Sequence, residues 1–205
     1  MVGRRPAPGA TAEDGTPRDR AVTALVLAVA GVVWFGWGNA APPAGWLPVL
    51  AAGSVLSLAA AAVAVVYLRR LRSVPSAMHD GRTRRRYFIT VGIEVAAIVL
   101  GVAVLEGSGH PAYLAAWILL VVGVHFVPLA RLFRIRSLAV TGIALVPVAA
   151  AAAATGLATG VQPSTVAGAG GGLVCLGGAG ACLHRVRAAA AGGPHGPARR
   201  PGPAA

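Results

Sequence analysis

Two ionisable residues, Glu94 and His125, stand within long apolar segments of the chain. Glu94 follows Arg86 by eight residues and His125 precedes Arg131 by six. On helices, the two side chains would therefore lie about 12 Å and about 9 Å from the basic ends of their segments. A carboxyl group and an imidazole at similar depth can form a hydrogen-bonded pair, relay a proton, or bind a cation or a small polar ligand. A buried polar contact that only sets the register of two helices is the alternative.

The residues around Glu94 favour close packing of its segment against the next one. The connection 106–111 is short, so the two flanking segments should be antiparallel neighbours. Thr90, Ala97 and Gly101 share a helical face with Glu94, and small residues let helices approach closely in lipid. This packing would bury Glu94 inside the protein.

Pro128 lies three residues after His125 and belongs to the same candidate site. A proline inside a helix removes one backbone donor, here the donor for the carbonyl of Val124. The exposed carbonyl would add a polar group beside His125, whereas a simple bend near the helix end is the alternative. We therefore predict a candidate intramembrane polar site formed by Glu94, His125 and Pro128.

The remaining chemistry-bearing residues predict neither a catalytic site nor a cofactor. The chain has no phosphate-binding glycine loop, no His-Glu-x-x-His and no Gly-x-Ser-x-Gly motif. Glu106 and His110, in a glycine-containing turn, are too few for a convincing metal site. Cys175 and Cys182 would lie about 10.5 Å apart along a helix, too far for a disulfide bond. We expect no enzymatic activity, no metal and no cofactor.

The composition places the chain among membrane proteins. Of its 205 residues, 56% are hydrophobic and 12% charged, and the mean hydropathy is +0.71. A soluble domain usually has about 25% charged residues. Apolar segments near 20 residues long predict an all-α, polytopic membrane helix bundle with six transmembrane helices. The predicted spans are 21–38, 46–68, 87–105, 112–130, 137–159 and 165–183.

The six spans predict one transmembrane domain, 21–184, between two disordered basic tails, 1–20 and 185–205. The first span could instead be a signal peptide cleaved after 38–40, an alternative that would leave five spans. The sixth span is the least regular because it is dense in glycine, a poor helix former.

The arginines predict the orientation in the membrane. All 18 basic residues are arginine, and they fall in alternate connections and in the two tails. Under the positive-inside rule, both termini are cytoplasmic. The same pattern explains the net charge of +12 without nucleic acid, and it predicts contact with anionic lipid headgroups at the arginine-rich cytoplasmic loops. Homo-oligomers or a partner membrane protein remain open.

One stretch carries a family resemblance. The pattern Gly123-x-His125-Phe126-x-Pro128-Leu-Ala-x-x-Phe133, with Glu94 in the preceding segment, resembles an uncharacterised family of small bacterial multi-span membrane proteins with a G-x-H-F-x-P-L-A-x-x-F signature. The resemblance covers 84–145 and implies no activity. Together with a composition typical of a GC-rich bacterial genome, it implies a multi-pass protein of the bacterial inner membrane.

Two function classes follow from these observations. The first is a small transporter or a ligand- or proton-responsive membrane protein that uses a buried Glu94–His125 pair. The second is a structural or accessory membrane subunit without transport or catalytic activity.

Overall fold

The computed structural model describes residues 15–40 and 42–191. Within these ranges the chain forms six long helices, two short 3₁₀ turns at Ala77–His79 and Pro111–Tyr113, and no strand. The long helices are α1 (Pro17–Gly38), α2 (Leu47–Arg70), α3 (Gly81–Gly107), α4 (Leu114–Phe133), α5 (Arg136–Ala158) and α6 (Pro163–Ala191). All six are long and apolar enough to cross a membrane. The predicted all-α, six-helix class is therefore confirmed.

Five of the six helices are longer than the predicted spans, and α5 has the same length as its span. Helices α1, α3 and α6 extend into segments predicted as tails or loop. Helix α1 begins at Pro17, so 17–20 is helical rather than part of a disordered tail. Helix α6 continues to Ala191 and includes 185–191 of the predicted C-terminal tail. The rest of both predicted tails, 1–14 and 192–205, lies outside the described residues.

Local capping explains the early start of α1. The backbone N–H of Asp19 donates to the Thr16 hydroxyl oxygen at 3.1 Å, and that hydroxyl donates to the Asp19 carboxylate at 2.8 Å. Pro17 occupies the first helical turn, where its missing N–H costs nothing. Thr-Pro-Arg-Asp is thus a helix-start signal that the predicted boundary at 21 overlooked.

Helix α6, the segment predicted with least regularity, lies at the centre of the molecule. It packs most extensively on α1, then on α5, and also contacts α2 and α4. Gly168 lies directly against the backbone of Gly38 in α1, and Gly172 lies against the ring of Phe35. Glycine therefore allows α6 to approach its neighbours more closely than any residue with a side chain would permit.

Helices α4 and α5 form a second close pair. At their crossing, a Cβ added to Gly142 would lie 2.6 Å from the carbonyl oxygen of Gly123, and one added to Gly123 would lie 2.9 Å from the oxygen of Gly142. This reciprocal contact explains why position 123, two residues before His125, is a glycine. It sets the position of α4, and α4 carries His125.

Helix α3 lies at the edge of the bundle. It packs chiefly against α4, and Gly101 is its one buried residue. Its outer surface consists of large apolar side chains that are half or more exposed: Phe88, Ile89, Ile93, Val95, Val99, Leu100 and Val104. In a membrane these side chains face lipid or another protein.

Candidate functional site

Glu94 and His125 are in contact across the α3–α4 interface. Glu94 Oε2 lies 3.3 Å from His125 Nε2. The His125 side chain is 7% exposed and the Glu94 side chain 17% exposed. The structure thus places together the two residues that the sequence singled out.

Helix α4 holds His125 by burying the residues beside it. Phe126 and Leu129 are buried in the main core, and the ring of His125 lies 6.3 Å from that of Phe126. His125 is itself buried, and its imidazole lies between α4 and α3.

Helix α3 presents Glu94 through the small-residue face predicted from its sequence. Thr90, one turn before Glu94, lines a groove that α3 shares with α4. The Trp117 indole N–H donates to the carbonyl oxygen of Ala97 at 3.2 Å, and its ring lies against Gly101. Four successive turns of α3, at Thr90, Glu94, Ala97 and Gly101, therefore face α4, and Glu94 lies on the second of them.

The surroundings of Glu94 differ from the prediction of burial inside the protein. Helix α3 lies at the edge of the bundle, so Glu94 is covered by α4 on one side and stays partly exposed on the other. Sequence spacing identified the partner helix correctly. It could not reveal that α1, α2 and α6 pack together elsewhere and leave α3 with one main neighbour.

Pro128 lies one turn after His125, on the exposed surface of α4. It is exposed, whereas its neighbours Leu129 and Phe126 are buried. Pro128 instead lines two surface grooves, one between α3 and α4 and one between α4 and α5. The contribution of the Val124 carbonyl, freed by Pro128, to the polar site stays a prediction.

No group of three or more His, Cys, Asp or Glu residues lies close enough to hold a metal ion within residues 15–40 and 42–191. In the connection between α3 and α4, His110 Nδ1 lies 3.3 Å from the Ser108 hydroxyl oxygen, and its ring lies 6.4 Å from that of Tyr113. Glu106 is exposed.

The Glu94–His125 pair is suited to holding one exchangeable proton. The pair is neutral when it holds one proton. If it loses that proton or gains a second one, a net charge remains in a poorly solvated site. An unpaired charge near the centre of a membrane helix costs on the order of 2.5–3.5 kcal/mol.

A second polar cluster was missed by the sequence reasoning. Asp19, 4% exposed, accepts hydrogen bonds from the Ser76 hydroxyl at 2.5 Å and from the Ala77 backbone N–H at 3.0 Å. Beside it is a cavity of about 250 Å³, lined by residues of α1, α3, α4 and α5 that include Tyr87 and Phe126. The capping signal around Asp19 indicated the helix start, but no local pattern indicated contacts with a loop more than fifty residues away.

Comparison with protein-family models, with curated proteins and with solved structures finds no match to this chain. The family signature around His125 accordingly remains a prediction. What the helices themselves establish is an integral membrane protein with six apolar segments.

Proposed function

We propose that this protein is a proton-responsive membrane protein in which the Glu94–His125 pair controls the docking of α3 on α4. The observation that carries the proposal is the 3.3 Å contact between Glu94 Oε2 and His125 Nε2 at the interface that holds an otherwise peripheral helix. No covalent chemistry is involved, and the protein is not proposed to be an enzyme.

The charge of the pair explains how protonation would act. A single shared proton keeps the pair neutral overall, whether it resides on the carboxyl group or on the ring. A second proton leaves a buried imidazolium, and loss of the first leaves a buried carboxylate. Docking of α3 should therefore be strongest at intermediate pH and weaken on both sides.

Other charges near the pair are few. Arg86 lies near the start of α3, and Arg131 lies near the end of α4. Each is about two helical turns from the Glu94–His125 pair. Both are exposed, so solvent and salt screen their effect on Glu94 and His125.

The test uses Trp117, whose indole contacts α3 directly. The protein is labelled with fluorotryptophan, the Trp117 resonance is assigned with a Trp117→Phe variant, and its position is followed from acid to alkaline pH. Wild type should show a change at each end of the range. Glu94→Gln should lose the alkaline change, because it has no proton to release, while His125→Gln should lose the acid change.

Glu106→Gln is the matched control, because it makes the same substitution on the same helix at an exposed position. It should retain both changes. A wild-type resonance that does not respond to pH, or Glu94→Gln and His125→Gln variants that keep both changes, would contradict the proposal.

The second candidate function is a structural or accessory subunit. The observation that favours it is the apolar outer surface of α3, which a partner membrane protein or a second copy of the chain would cover. Glu94 and His125 also do not belong to the walls of the cavity or grooves described above. A pH-insensitive Trp117 resonance together with co-purification of a membrane partner would support this alternative.

The proposal includes a location. The distribution of arginine supports both termini in the cytoplasm, with the arginine-rich connections at the anionic inner surface of a bacterial cell membrane.

A further inference from the structure

A groove on the surface of α3 and α4 combines two arginines with apolar walls. It has a volume of about 310 Å³, and its lining consists of Arg86, Ile89, Thr90, Pro128, Arg131 and Leu132. One arginine comes from each helix, near the end where α3 begins and α4 finishes. Thr90, which lines the groove, lies one helical turn before Glu94, so the groove is next to the Glu94–His125 pair.

The charge of this groove is uncompensated within the described part of the chain. Its lining contains no acidic side chain. Arg86 and Arg131 are both exposed, and within residues 15–40 and 42–191 neither arginine forms an ion pair. Two guanidinium groups facing one groove form a site for an anion.

The walls indicate which kind of anion fits. The apolar walls are Ile89, Pro128 and Leu132, which lie on membrane-spanning helices. A fully hydrated anion would not cover these side chains and would leave them in contact with water or lipid. An amphiphilic ligand fits both the arginines and the apolar walls of the groove. Its phosphate would lie at the arginines, and its acyl chain would lie along the apolar walls. Guanidinium groups bind phosphate oxygens through paired hydrogen bonds.

We propose that this groove binds the phosphate headgroup of an anionic phospholipid, with Arg86 and Arg131 as the headgroup ligands. A zwitterionic lipid fits less well, because its ammonium group would approach two positive side chains with no carboxylate in the lining. The proposal does not rest on the Glu94–His125 function, and Glu94→Gln should bind the lipid as wild type does.

The test is native mass spectrometry of the full chain in detergent, titrated with phosphatidylglycerol and, separately, with phosphatidylcholine of the same acyl chains. Wild type should prefer phosphatidylglycerol. Arg86→Gln/Arg131→Gln should weaken phosphatidylglycerol binding by roughly 30-fold, as expected for two lost arginine contacts near the membrane surface.

Arg84→Gln/Arg85→Gln is the matched control. It removes two charges from the same end of α3 at exposed positions that do not line the groove. It should bind phosphatidylglycerol within a few-fold of wild type. Arg86→Lys/Arg131→Lys keeps the charge without the planar fork and should bind between wild type and the glutamine variant.

Three outcomes would overturn the proposal. If Arg86→Gln/Arg131→Gln and Arg84→Gln/Arg85→Gln lose the same affinity for phosphatidylglycerol, the overall positive charge of this end of the protein binds the lipid, and the groove does not. Unchanged binding in Arg86→Gln/Arg131→Gln would remove the arginines from the site. Displacement of the lipid by inorganic phosphate at comparable concentration would indicate a site for free phosphate. A helical circular dichroism spectrum like that of wild type shows that each variant is folded.

Discussion

The Asp19 carboxylate connects α1 to the turn that precedes α3. It accepts from Ser76 and Ala77, while the Arg18 guanidinium donates to the carbonyl oxygens of Val74 at 3.2 Å and Arg72 at 3.3 Å. Hydrogen bonds to a charged group contribute about 1.5–3 kcal/mol each. These contacts therefore tie the long basic connection to the first helix.

Replacement of Asp19 by alanine should loosen that connection. Without the carboxylate, Ser76 and the Ala77 N–H lose their acceptor, so 71–80 should open more often. Trypsin should then cleave the purified variant at Arg72 several-fold faster than wild type, with fragments identified by mass spectrometry. Asp80→Ala serves as the control, because Asp80 caps only its own helix. Equal cleavage rates for the two variants would show that Asp19 does not hold the connection.

Asp80, the N-cap of α3, makes the stability of the helix start depend on pH. Hydrogen bonds from the Thr83 hydroxyl at 2.7 Å and the Thr83 N–H at 2.8 Å lower the pKa of the Asp80 carboxyl group. Because the folded-state pKa is lowered, the stabilisation is present above the usual carboxyl pKa and is lost as the pH falls through the lowered value. The start of α3 should thus weaken only under acid conditions.

At the scale of the helix, α3 is attached through one face. That face includes Glu94, the Ala97 carbonyl and Gly101, which contact α4, and Thr90, which lines a groove shared with α4. The sequence predicted this face correctly, because helical spacing and residue size are local properties. It also predicted the partner helix, because a short connection forces neighbouring spans together.

Substitution of Gly101 by alanine should weaken α3 docking. A Cβ at this position would collide with the Trp117 indole, and overpacking of this kind costs about 1–3 kcal/mol. Thermal unfolding in detergent should occur at lower temperature, and the Trp117 fluorine resonance should shift.

Gly92→Ala is the control on the same helix, since its Cβ would meet no atom within 4 Å. This variant should be at least as stable as wild type, because alanine has the higher helix propensity, by about 1 kcal/mol. A Gly101→Ala protein as stable as Gly92→Ala would show that the indole does not require the glycine.

At the scale of the whole molecule, α6 organises the bundle. Its buried face includes Gly168, Gly171, Gly172 and Gly178, which contact α1, α4 and α5. In lipid, association of helices depends on close packing rather than on hydrophobic burial. A glycine-rich helix is therefore suited to the centre, although its sequence alone is the weakest helix signal in the chain.

Alanine at Gly168 should destabilise the whole bundle. The added Cβ would meet the backbone of Gly38 and the carbonyl oxygen of Trp34 at 2.6 Å, so α1 and α6 would have to separate. We expect a lower unfolding temperature than for Gly180→Ala, whose Cβ would meet no atom within 4 Å. Comparable unfolding temperatures for these two variants would contradict the central role of the α1–α6 contact.

The sequence by itself determined six apolar helices of membrane-spanning length, and it predicted the Glu94–His125 contact that the structure places between α3 and α4. Apolar length requires helices in lipid, where every backbone group must be satisfied within its own segment, and a short connection makes the third and fourth spans adjacent. Tertiary structure alone decided that α6 is central, that α3 is peripheral, and that Asp19 reaches Ser76. These features depend on which helices far apart in the chain pack together, and similar apolar surfaces carry little information about that choice.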